Sequence, residues 1–135
     1  MKRFTGLQNK LKKIGEEGCH FLFLMSIIER ETKENVDIIT FYDTCLSKGW
    51  IREDLYVNDA LAILEYFTKA GWCRYEAETY KVPLEPSVYV EEVWYNPRTK
   101  YTHFRDVSFD TYKNSVTVKE GTLLKYYIYK KAVWL

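Results

Sequence analysis

Apolar residues recur at three- and four-residue steps through the first half of the chain and give way to alternation in the second. Phe4, Leu7, Leu11 and Ile14 mark one face of a short helix that Gly15 stops. The run Phe21-Leu22-Phe23-Leu24-Met25-Ser26-Ile27-Ile28 predicts a second helix from about Cys19 to the charged cluster at Glu29. A third begins near Asn35, turns Ile38, Ile39, Tyr42, Cys45 and Leu46 inward, and ends at Gly49 as a C-terminal cap. Trp50 to Tyr56 reads as a connector. Asn58 or Asp59 caps a fourth helix bearing Leu61, Leu64, Tyr66 and Phe67, which stops at Gly71.

After Gly71 prolines appear, and β-branched and aromatic residues alternate with polar ones. Val88, Val90, Val93 and Tyr95 form a strand leading into the turn Asn96-Pro97-Arg98. Tyr101 to Arg105, Val107 to Asp110, Val116 to Val118 and Leu123 to Tyr129 are further strand candidates, with turns at Asn114 and Gly121. Helices first and antiparallel strands second imply an α+β domain. With no repeat and no linker in 135 residues, one domain over 1–135 is expected.

Charge removes some functions. Twenty Lys and Arg against 19 Asp and Glu leave no basic face of the kind nucleic acid demands. The small patch of Lys10, Lys12 and Lys13 is followed at once by Glu16 and Glu17 and reads as a solvated helix face. The apolar run after Cys19 is too short to span a bilayer, and no secretory signal precedes it. Three widely spaced cysteines suit free thiols in a reducing, cytoplasmic setting. Close-set ligand pairs are missing, so no metal or other cofactor is expected.

Cys19 follows Gly18 at a helix start, where unpaired N–H groups and the helix dipole favour thiolate. Glu16 and Glu17 work against that charge, and a free cysteine equally packs as a small hydrophobe. Cys45 and, beside Trp72, Cys73 read in that second way. His20 reads as a helix residue, because adjacent side chains on a helix diverge. His103 lies in Thr102-His103-Phe104-Arg105, with Asp110 after Phe109. An antiparallel hairpin between them sets His103 opposite Asp110 and turns Phe104 and Phe109 into the core. An aspartate beside a histidine fixes the tautomer and supports the imidazolium.

The stretch His103 to Leu123, taken with Gly18-Cys19-His20-Phe21 and Gly49 to Asp59, resembles the papain-like fold of bacteriocin-processing-type cysteine peptidases. Small relatives of these are common in phages and mobile elements. The resemblance implies Cys19 as nucleophile, His103 as base and Asp110 as its orienter, with Gln8 helping to hold the oxyanion. Gln8 lies farther from Cys19 than the usual spacing, and Thr111 stands where those relatives carry proline. His20 replaces a small residue, and the His103–Asp110 loop is shorter than usual.

The expected protein is thus a papain-like α+β domain that hydrolyses a peptide or isopeptide bond. A catalytically silent papain-like domain is the alternative; its tyrosines would serve recognition of a peptide or protein partner. A winged-helix-like DNA binder over Ile38 to Tyr75 is a third reading, against which the neutral charge argues. Neither membrane nor nucleic acid is an expected partner, and oligomeric state is left open.

Overall fold

In the computed structural model the described residues are 18–79, 86–98, 100–107 and 121–132. Three helices, α1 (Cys19–Thr32), α2 (Ile38–Ser47) and α3 (Ala60–Thr68), precede four strands. These are β1 (Trp72–Ala77), β2 (Val88–Asn96), β3 (Tyr101–Asp106) and β4 (Thr122–Lys131). The strands form one antiparallel sheet in the order β1-β4-β2-β3. The α+β class is therefore as expected. The expected helix over Phe4–Ile14 and the strand over Val116–Val118 lie outside the described residues, as do Gln8 and Asp110.

α1 is the core of the molecule. Phe21, Phe23, Leu24, Met25, Ser26, Ile27 and Ile28 are all buried, so this helix hides nearly its whole circumference. Each such apolar side chain contributes about 1.5–3 kcal/mol when removed from water. Phe21 stacks on Phe41 of α2 with ring centroids 4.6 Å apart. Phe23 meets Tyr129 of β4 at 5.5 Å. Lys33 closes α1 in the left-handed region, its N–H bonded to Glu29 O at 2.9 Å.

Local chemistry sets the other two helices. The Asp37 carboxylate caps α2 by accepting from Thr40 N–H, two residues beyond the start expected near Asn35. Gly49 follows this helix at φ +75°, a conformation that favours glycine. Asp59 caps α3, accepting from Ala62 N–H at 3.0 Å. α3 buries Ala60, Ile63 and Leu64, while Tyr66 is 50% exposed beside Trp50 and Lys48.

Register and the two-residue period assign the sheet's faces. Glu91 opposes Asp106, and Val93 opposes Phe104; these four, with Tyr89, Tyr129 and Arg74, face α1. Trp94 opposes His103 and Glu92 opposes Arg105 on the other face. Polar rivets join α1 to its face. Arg30 pairs with Asp106 and lies over the Tyr89 ring, and Glu31 accepts from Ser87 and Tyr89 hydroxyls.

Candidate functional site

The first intrahelical hydrogen bond of α1 runs from Leu22 N–H to Gly18 O at 2.7 Å, leaving the amides before Leu22 without helical partners. The cap residue, Gly18, has no side chain to give it an acceptor. The N–H groups of Cys19 and His20 lie at this open end and favour negative charge on the adjacent sulfur. From β3 the N–H of the peptide joining His103 to Phe104 acts on the same sulfur in the same sense. These amides favour thiolate, those of Cys19 and His20 as a helix start predicts. Burial, the largest influence, together with the nearby Glu91 carboxylate, nonetheless raises the Cys19 thiol above its ordinary value. The helix start therefore does not by itself lower this thiol.

His103 sits opposite Trp94, so alternation sends its side chain from the face of β3 away from the Phe104 ring. Phe104 faces α1, as expected. The structure brings the backbone of His103 to the Cys19 sulfur. Partial burial lowers the His103 imidazole below its usual value. Cys45 is wholly buried and its thiol is pushed up to about 12, whereas Cys73 is exposed, contrary to its expected packing role.

A pair that the sequence reading set aside stands beside Cys19. His20 Nδ1 lies 2.7 Å from Glu91 Oε2, and its ring rests on Phe104 with centroids 4.5 Å apart. Glu91 is completely buried, and the Tyr129 hydroxyl donates to its other oxygen at 3.4 Å. Burial drives the Glu91 carboxyl upward, opposed by His20, by Tyr129 and by the Arg74 charge. Burial likewise drives the Tyr129 hydroxyl well above its ordinary value. Arg74 lies over the Tyr127 ring at 4.7 Å and hydrogen-bonds Tyr129. The signal available in sequence was Glu91 itself, an acid between Tyr89 and Val93 on the inward face of a strand.

These groups surround a cavity of about 820 Å³. Cys19, His20 and Phe104 form one wall, and Arg74 and Tyr127 another. The loop from Arg52 to Asp59 and the start of α3 supply the third, so the expected connector also shapes the cavity. It is folded back by a bridge between Ile51 and Val57 and by a two-point Arg52–Asp54 ion pair at 3.1 and 2.8 Å. Leu55 turns the chain at φ +69°, strained for a leucine, and its buried side chain anchors the turn. Among the described residues no group of three His, Cys, Asp or Glu side chains is arranged to hold a metal ion, and no helix is long and apolar enough to cross a membrane.

The arrangement offers a thiol, a histidine–carboxylate pair and amide donors around one ligand-sized space. No curated protein and no solved structure matches the chain. One family model does, over residues 2–131, which takes in the thiol, both histidines and all four strands. The chain belongs to that family, DUF261, described as a protein of unknown function.

Proposed function

We propose that this domain is a cysteine-peptidase-like hydrolase of peptide or isopeptide bonds on a papain-like framework. The observation that carries the reading is the meeting of the Cys19 sulfur with the His103–Phe104 peptide at the wall of the cavity. A nucleophile at a helix start and a histidine on the adjoining strand are the two parts such chemistry needs. The hydrolase reading requires the His103 imidazole, which alternation directs to the opposite face of β3, to come round to the sulfur.

In this mechanism His103 takes the Cys19 proton, and the sulfur bonds to the substrate carbonyl carbon as the C=O π pair moves to oxygen. The C–N bond then breaks, and the leaving amine takes the proton back from His103. Water attacks the resulting thioester, giving a proton to His103, and the C–S bond breaks to return the thiolate. Asp110 would orient His103 and Gln8 would assist at the oxyanion, as the family resemblance implies.

The raised Cys19 thiol favours a second reading, a papain-like scaffold that binds a peptide without cleaving it. Iodoacetamide labelling at pH 6, resolved by site, separates the two. Hydrolase chemistry requires Cys19 to react faster than Cys45 and Cys73, and His103→Ala to abolish that advantage. If Cys19 labels slowly and is indifferent to His103→Ala, the hydrolase reading fails and the binding scaffold stands.

A further inference from the structure

Adjacent helix positions point about 100° apart, so His20 and Cys19 diverge although both line the cavity. The His20 ring is held from two directions. Glu91 holds Nδ1 at 2.7 Å, and Phe104 backs the ring plane. Nε2 is then the nitrogen that the ring can offer to a cavity ligand.

The protons on the pair decide what Nε2 can do. With one proton on the pair, Nδ1–H donates to the Glu91 carboxylate and Nε2 is an acceptor. With two, either an imidazolium faces a carboxylate or a neutral imidazole accepts from a carboxylic acid. Nε2 carries hydrogen in both of those arrangements. A net negative charge at the fully buried Glu91 is unfavourable, so burial favours the two-proton pair. The groups facing the pair are Cys19 from α1, Arg74 from β1, and Tyr127 and Tyr129 from β4. Asp106 lies across from Glu91 on β3 and is bound to Arg30. Of these, Arg74 is a cation whose charge opposes the effect of burial on Glu91, and it does so from an exposed position.

We propose that His20 is a catalytic residue of this cavity: its Nε2–H donates to the carbonyl oxygen that becomes negative when the Cys19 sulfur adds to an acyl group. Glu91 is its positioning residue. The inference rests on the hydrolase reading, because it needs Cys19 as the nucleophile. No electron transfer is involved. The carbonyl π pair moves to oxygen as the C–S bond forms, and the His20 N–H shares its hydrogen with that oxygen until the pair returns and the leaving group departs.

Two reagents that differ in one respect provide the test. p-Nitrophenyl acetate acylates a thiol through an oxyanion, whereas iodoacetamide alkylates it by displacement at a saturated carbon and forms none. Both rates are measured at Cys19 by site-resolved mass spectrometry in the full chain carrying Cys73→Ser. His20→Leu should slow acylation about 100-fold while alkylation stays within about two-fold. His20→Gln, which restores an N–H near the Nε2 position, should recover most of the acylation rate. With His20 in place, the ratio of acylation to alkylation should fall as pH rises and the Glu91 carboxyl, held above its ordinary value, loses its proton. Glu91→Gln, whose amide can donate to Nδ1 at every pH, should remove that fall.

Equal losses of both rates in His20→Leu would overturn the proposal, because His20 would then act on the thiol or the fold. Unchanged acylation would overturn it equally. In either case, an alkylation advantage of Cys19 that His103→Ala abolishes would leave the hydrolase reading intact. A Cys19 that neither alkylates faster than Cys45 nor responds to His103→Ala would remove both.

Discussion

Replacing Phe21 by alanine tests how firmly the nucleophile's platform is built. Phe21 is the third residue of α1, two positions after Cys19, and is 0% exposed. Its ring stacks on Phe41 at 4.6 Å with planes 21° apart, and Tyr42 meets it edge-on at 6.3 Å. Truncation loses the transfer free energy of the ring and leaves a cavity that this crowded end of α1 closes only in part. The expected cost is about 3–5 kcal/mol. For a chain of this size, that lowers the midpoint of thermal unfolding by roughly 10–20 °C.

Phe21→Leu keeps most of the volume and should cost about 1–1.5 kcal/mol. A double-mutant cycle with Phe41→Leu should return a coupling of about 0.5–1.5 kcal/mol for the stacked pair. Urea unfolding followed by circular dichroism and by tryptophan fluorescence supplies both numbers, provided the two signals coincide. A loss below about 1.5 kcal/mol in Phe21→Ala, against the range typical of buried Phe→Ala changes, would refute the packing described for the start of α1. Leu and Ala variants of equal stability would do the same.

Asp59→Ala removes the side-chain acceptor for Ala62 N–H and should cost about 1 kcal/mol in the same unfolding assay; no measurable change would show that the cap is idle. Native Glu91 holds its proton more tightly than unfolded Glu91, so its stabilising contribution is complete below the ordinary carboxylate range and is lost as pH rises through the raised native value. The stability of Glu91→Gln relative to the natural chain should therefore grow with pH above that range, and a pH-independent difference would contradict the burial of Glu91. Cys45, with its thiol near 12, should alkylate about 10³-fold more slowly at pH 8 than a cysteine in a short peptide, whereas Cys73 should label without unfolding. Rapid Cys45 labelling in the native protein would contradict its burial.

The helices were legible because each declares itself locally. Asp59 sits where an apolar run begins, and Gly49 sits where one ends in a left-handed turn. Asn96-Pro97-Arg98 marked the β2–β3 turn in the same way. β1 was not foreseen: Trp72 is the single fully buried residue of its six, so the strand lacks the alternation that betrays a half-buried one. Burial along α3 was not legible from spacing: Tyr66 shares the helix with buried Ile63 and Leu64 yet lies outside with Lys48 and Trp50. The site was legible only in part. Gly18-Cys19 announced a helix start, but the opposing influence on the thiol comes from burial and from Glu91, both products of tertiary packing. His20 meets Glu91 across 71 positions of chain, a separation that no local rule of helix geometry spans.

The Phe104 amide acts on the Cys19 sulfur from β3, which makes it a built-in reporter. Conversion of the sulfur from thiol to thiolate, thioether or thioester changes the acceptor the amide sees, and with it the proton's chemical shift and exchange rate. A ¹⁵N-labelled chain would therefore display the state of Cys19 continuously through one backbone resonance of β3, without a chromophore, a substrate or a change to any side chain.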